Sequence, residues 1–170
     1  CLHIASPATD LTSEEAEKIL DYLKSGGRVL LITDYTGEER PNLESILEYY
    51  GVSLTEGIVM EQDAGHYIQV PYYLVPNINS TEVSSRMAGG NQYVILAAAQ
   101  GIETLEDTRE GVTVTGILST SDSAYSKTDV ENMTNYSREE GDTDGPFDLA
   151  VLITETVEAA QEEAADTETE

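Results

Sequence analysis

Apolar and polar positions along the first sixty residues fall into two alternating rhythms. Residues 2–5 (LHIA) are a short strand-like run that breaks at Ser6-Pro7. From Leu11 the period becomes helical: Ala16, Ile19, Leu20 and Leu23 share one face of LTSEEAEKILDYLKSGG. Thr12 with Glu15 three residues later makes a capping box, and Leu11 and Ala16 are spaced as a hydrophobic staple. Gly26-Gly27 supplies a left-handed stop, so the spacing predicts a helix over 13–25. RVLLITD is then a continuous apolar run of strand length, the pattern of a central parallel strand buried on both faces. Strand, helix, strand predicts a βαβ unit with a right-handed crossover.

The rhythm repeats once and then dissolves. RPNLESILEYYG predicts a second helix, with Leu43, Ile46, Leu47 and Tyr50 on one face and Gly51 as its stop, and EGIVM predicts a third strand. Over 61–92 the register is lost; Pro71 and Pro76 argue against a regular central strand or a long helix. STEVSSRMAGG has room for one or two helical turns. QYVILAAAQGI, the partly alternating GVTVTGILST, and FDLAVLITE predict further strands. Early βαβ units followed by strand-rich segments predict a single three-layer α/β domain over 1–156 with a mainly parallel sheet. The irregular 61–92 insertion is expected to cover one edge or end of it, and 157–170 (VEAAQEEAADTETE) to form an acidic tail or linker.

Charge narrows the possible partners. The chain has 33 acidic and 8 basic residues, a formal charge of −25. Such a surface repels nucleic acid and anionic lipid headgroups, which need clustered Lys or Arg. Cys1 is the single cysteine, so neither an intrachain disulfide nor a cysteine-based metal site can form. No apolar run reaches the length needed to span a bilayer, and no signal peptide is present. A start without Met, directly in a strand, is read as a soluble piece cut from a longer protein.

The densest chemistry lies in ILSTSDSAYSKTD, residues 117–129. A Ser-x-x-Lys pair would need serine where Ala124 stands, no nucleophile elbow occurs, and the two histidines are His3 in a strand and His66 in a loop. A polar loop leaving a strand is therefore expected, with no catalytic residue. EEGDTDGPFD spaces Asp142, Asp144 and Gly145 like a calcium loop, but the closing glutamate falls at Val151, so no metal site is expected. SGGRVLL runs glycine into a strand, whereas a phosphate cradle leads into a helix, and no cofactor is expected. Tyr49, Tyr50, Tyr67, Tyr72 and Tyr73 suit a core edge better than an open platform. The Asn-x-Ser/Thr triplets at Asn79, Asn132 and Asn135 are common by chance.

Ligands of open parallel sheets collect at the carboxyl ends of the strands. Those ends carry Ser6, Asp34, Gln100 and the run containing Ser121 and Asp122, and His66 and Tyr67 are placed to fold over them. The seven are the candidate ligand-binding crevice. Asp34 and Asp122 are expected to hold loop geometry through backbone N–H groups.

IASPATDLTSEEAEKILDYLKSGGRVLLITDY, then PNLESILEYYGVSLTEGIVME, HYIQVPYYLVPNI, AQGI and LSTSDSAYSK, follow one another in an order that is specific. Together they resemble the extracytoplasmic domain of the GldG-like (gliding-motility-type) auxiliary component of ABC transporters. The resemblance implies a fold akin to class I glutamine amidotransferases without their Cys-His-Glu machinery. It further implies a membrane-anchored parent with flanking transmembrane helices, a place on the extracytoplasmic side of the cell membrane, and ABC permease and ATPase subunits as partners. The expected function is non-catalytic binding of a partner protein or transported ligand. The alternatives are a degenerate amidotransferase-like hydrolase, or a carbohydrate-binding module in which Tyr72 and Tyr73 hold a glycan.

Overall fold

The structure, a computed structural model, describes residues 1–156; the expected acidic tail at 157–170 lies outside the described residues. β1 (Leu2–Ala5) is followed by α1 (Ser13–Lys24), β2 (Val29–Ile32) and α2 (Pro41–Tyr49). Short strands come next: β3 (Val52–Leu54), β4 (Ile58–Met60), β5 (Tyr67–Ile68), β6 (Val70–Leu74) and β7 (Asn77–Ile78). β8 (Leu96–Ala97), β9 (Ile102–Thr104), β10 (Val112–Ser119), β11 (Tyr125–Lys127), β12 (Thr143–Asp144) and β13 (Asp148–Glu155) complete the described elements.

Both helices form where the periodicity places them. The Thr12 hydroxyl accepts from Glu15 N and the Glu15 carboxylate accepts from Thr12 N at 2.9 Å, which closes the capping box. At the other end Gly27 N donates to Tyr22 O and Gly26 N to Leu23 O, with Gly26 at φ +89°, a Schellman stop. α2 begins with Pro41 after Arg40, which offers it no side-chain cap. Asp10 supplies the cap from a distance: its carboxylate accepts from the backbone of Asn42 and Leu43, each at 3.0 Å. The two helices are thereby fixed to each other at their N-terminal ends.

The expected three-layer, mainly parallel, amidotransferase-like sheet is not what forms. Among the described residues β1 and β2 are the one parallel pair, and every other pairing is antiparallel. The larger sheet has the order β3-β9-β13-β10-β7, and β12-β11-β4 and β5-β6-β8 form two further sheets. A parallel neighbour needs a crossover of a dozen or more residues, usually a helix. After α2 no described helix supplies one, so no second strand–helix–strand unit forms among the described residues. The alternation of Val112, Thr113, Val114 and Thr115 carried this signal, since an antiparallel strand covered on one face alternates.

Two local expectations also change. RVLLITD is not a buried central strand: among the described residues β2 pairs with β1 alone, and Leu30 and Ile32 are half exposed at 49% and 50%. Residues 61–92 are more regular than their prolines suggested. β6 runs through Pro71 at the centre of its three-stranded sheet. Proline fits there because its pairing with β5 shifts register between Tyr67 and Ile68, so no recorded partner faces Pro71, and its carbonyl accepts from Glu61 N.

β4 lies at the centre of the packing, with all three residues buried. Val59 packs with Leu74, Ala124, Phe147 and Leu149, while Ile58 and Met60 pack with Tyr125. Replacing Thr12 by Ala is expected to cost about 1 kcal/mol, read from the urea midpoint, with a loss of only a few tenths showing that α1 starts elsewhere. Gly57, at φ +76°, leads into β4 with the Lys127 and Thr128 backbone where a Cβ would stand. Gly57→Ala should therefore cost about 3 kcal/mol or more, and a midpoint within experimental error of the parent would contradict this packing.

Candidate functional site

The hydroxyl-rich run after β10 is committed to structure residue by residue. Thr120 Oγ1 accepts from Phe147 N at 2.9 Å and donates to the Ser121 carbonyl at 3.0 Å. Ser121 Oγ donates to Glu61 Oε1 at 2.6 Å, and Ser121 N donates to Glu61 Oε2 at 3.1 Å. Glu61 is 2% exposed, so a buried carboxylate is held by four donors: these two and the backbone N–H groups of Gln62 and Asp63. Ser126 is fully buried and donates to the Glu56 carbonyl. A serine that gives its proton to a buried, multiply bonded carboxylate is oriented for holding a loop.

Lys127 continues the same strand inward. Its ammonium, buried with the side chain 1% exposed, lies 2.9 Å from Glu139 Oε2, 3.6 Å from Asp142 Oδ2 and 3.2 Å from the Ser137 carbonyl. Burial pulls the Lys127 ammonium down, but the Glu139 hydrogen bond and the charges of Asp142, Glu139 and Tyr125 outweigh it, so its pKa is raised. Burial likewise pushes the Asp142 carboxyl up. Backbone N–H groups of Glu139 and Thr128 and the Lys127 charge prevail and hold it below the ordinary carboxylate value. The EEGDTDG segment thus closes a cage around an internal cation.

The seven residues of the candidate crevice lie in several environments. Ser121 sits on Glu61, while Asp122 beside it is exposed with no recorded hydrogen bond. Asp34 is exposed and likewise accepts no recorded backbone bond, so neither aspartate holds loop geometry as expected. Ser6 ends β1 at φ +46°, its N–H on the Ile32 carbonyl. His66 Nδ1 lies 3.3 Å from the Val75 carbonyl, and Tyr67 opens β5 half-buried. His66 lines a cavity of about 370 Å³ with Gly65, Met87, Gln92 and Tyr93, and none of the other six lines it. Among the described residues no hydrogen bond joins one strand-end residue to another.

Gln100 belongs to a group that sequence reasoning missed. Its Nε2 donates to the Thr55 carbonyl at 2.9 Å, and its Oε1 accepts from Arg40 Nη2 at 3.4 Å. Arg40, Glu61 and Lys127 are all buried ions. Only position could have flagged them: Glu61 directly follows an apolar strand, and Lys127 ends a segment with no break before it. Asp10 is held low despite burial, which pushes it up, because the Asn42 and Leu43 backbone and the Asn42 amide donate to its carboxylate. The tyrosines pack against one another. Tyr72 meets Tyr73 and Tyr136 edge-on at 5.1 and 5.7 Å, and Arg109 lies 3.9 Å above Tyr49 while pairing with Glu155 at 2.8 Å.

A family model described as "ABC-type uncharacterized transport system", labelled ABC_transp_aux, matches residues 1–170. No curated protein matches the chain. Among solved structures, the chain is similar to one titled "mmIFT52 N-terminal domain", with a TM-score of 0.53 and 22% identity. The match covers 72% of this chain and 53% of that one, so the chain spans about half the length of that structure. At this identity the likeness concerns the fold alone.

Ser121→Ala should lower stability by about 2 kcal/mol, because a buried carboxylate loses a charge-assisted donor. Asp122→Ala should stay within about 0.5 kcal/mol, and equal losses for the two would contradict the assignment. Lys127→Met leaves Asp142 buried without its cation and should cost about 3 kcal/mol, whereas Lys127→Met with Asp142→Asn should cost clearly less than the sum of the single changes. The lowered Asp142 pKa contributes stability above its ordinary unfolded value, lost as pH falls through the folded one. The raised Lys127 pKa contributes below its ordinary value, lost as pH rises through the folded one. The gap between parent and double variant should accordingly be widest near neutral pH; a gap constant from pH 3 to 11 would refute the cage.

Proposed function

This chain belongs to the ABC-type uncharacterized transport system family, as an auxiliary component, and from that membership we propose a non-catalytic domain that binds a partner protein or transported ligand. The observation that carries the non-catalytic part is the fate of Ser121 and Lys127. The hydroxyl and amine best suited to nucleophile and base are bound to Glu61 and to Glu139 with Asp142. A Ser–Lys mechanism needs the amine beside the hydroxyl it deprotonates.

The finer reading is a GldG-like, gliding-motility-type component placed on the extracytoplasmic side, meeting the permease and ATPase subunits of its system. Among the described residues no helix is long and apolar enough to cross a membrane, so anchoring falls to flanking helices of the parent protein in this reading. The formal charge of −25 supports a protein or small-molecule partner over nucleic acid or an anionic lipid surface. The division into a domain at 1–156 and a tail or linker at 157–170 is part of the same proposal, as are the crevice residues as ligand contacts.

A carbohydrate-binding role has one specific observation in its favour, and it lies away from the Tyr72–Tyr73 pair. Tyr93, 69% exposed, lines the His66 cavity beside Gln92, an aromatic face next to an amide.

Two measurements test the proposal. A tagged chain co-expressed with the permease and ATPase of an ABC system from the same genome should retain them on purification from detergent, and failure to retain either would overturn the transport-partner reading. Screening generic ester, amide and glycoside substrates should give no turnover above buffer. Turnover that disappears in the folded Ser121→Ala variant would overturn the non-catalytic reading.

A further inference from the structure

Of the two buried cations among the described residues, Arg40 and Lys127, the more instructive is the one without a counter-ion. Lys18, Arg109, Lys127 and Arg138 each face a carboxylate within 4 Å. Arg40 is 4% exposed and pairs with no carboxylate among the described residues, although the chain carries 33 acidic residues. Its Nη2 makes a long 3.4 Å bond to Gln100 Oε1, and its buried Nη1 has no hydrogen-bond partner among the described residues. A guanidinium cannot shed its proton to escape burial, as a lysine can. An uncompensated buried charge of this kind is costly, and Lys127 shows how the same chain treats a buried cation for structure alone, with two carboxylates around it.

The surroundings of Arg40 are arranged for an incoming anion. It stands immediately before the first turn of the nine-residue α2, where the helix dipole favours negative charge. The first-turn N–H groups of Asn42 and Leu43 are already taken by Asp10, so an anion here would rely on the guanidinium and not on the helix backbone. Gln100 is oriented by its Nε2 bond to the Thr55 carbonyl, which turns its oxygen toward Arg40.

We propose that Arg40 is the anchor of an oxyanion-binding site at the start of α2, taking the carboxylate or phosphate group of a small ligand through its unpartnered Nη1, with Gln100 as positioning residue. The planar guanidinium suits a two-oxygen contact, which both groups offer. The net charge of −25 opposes loosely held anions, so binding at Arg40 rests on short-range contact and weakens little as salt rises. Such a site is independent of which transporter subunits the domain meets.

The test is thermal unfolding of the full chain in sodium phosphate and in sodium acetate, each against sodium chloride at matched ionic strength. A rise of about 5 °C at saturation is expected in at least one of them, and which one names the ligand group. In Arg40→Gln the rise should vanish. Equal melting in all three salts, or an undiminished rise in folded Arg40→Gln, would overturn the proposal. Should Arg40→Gln not fold, Gln100→Glu decides. It places a carboxylate beside the guanidinium and should raise melting in chloride while abolishing the response to the other anion. A lower melting temperature with that response intact would overturn the site.

Discussion

The rest of the structure hangs on the burial of β4. Its three residues are sealed from solvent, and each side of the strand is hydrogen-bonded to a different part of the chain. β11 pairs along one edge, Val59 N reaches the Ala99 carbonyl, and Glu61 N reaches the Pro71 carbonyl. Glu61 then turns its carboxylate onto Ser121, so the strand end and the polar run after β10 fix each other. A strand of three residues has little stability of its own. It persists because segments distant in sequence satisfy its polar groups and cover its side chains, which ties loss of any one of them to loss of the others.

Ionic groups are placed by the same logic. Glu61 is buried but met by four donors, Lys127 is buried but met by two carboxylates and a carbonyl, and Asp10 trades partial burial for the first-turn amides of α2. Each of these is an ion used to fasten a backbone segment to another that is distant in sequence. Among the buried ions of the described residues Arg40 alone departs from the pattern, since its side chain bonds only a neutral amide.

What could be read from the sequence divides along the line between local and distant interactions. α1, α2 and their stops were legible because caps, glycines and apolar spacing act within a few residues, and Thr12, Glu15 and Gly26 do what those residue types do generally. The existence of β10 and β13 was legible from their apolar runs. Their antiparallel pairing was not, because one clear strand–helix–strand unit at the start suggested that the rest would continue it. RVLLITD misled for a related reason: a continuous apolar run describes what a strand could be covered by, and the covering is decided elsewhere. The crevice residues were chosen from strand ends, yet Ser121 found Glu61, Gln100 found Arg40, and Asp34 and Asp122 found solvent. None of those partners lies near its mate in the chain.

β2 leaves a last physical consequence. Val29 to Ile32 carry no charge, Leu30 and Ile32 are half exposed, and one edge of the strand has no hydrogen-bonded neighbour among the described residues. An apolar strand with a free edge is a template on which another strand can lay itself down, the first step of edge-to-edge aggregation. What stands between two such molecules is their shared negative field. That field reaches only about 10 Å at 0.1 M salt and about 3 Å at 1 M. Colloidal stability in this protein is accordingly an electrostatic property working against a hydrophobic one, and ionic strength sets the balance between dispersed molecules and strand-paired assemblies.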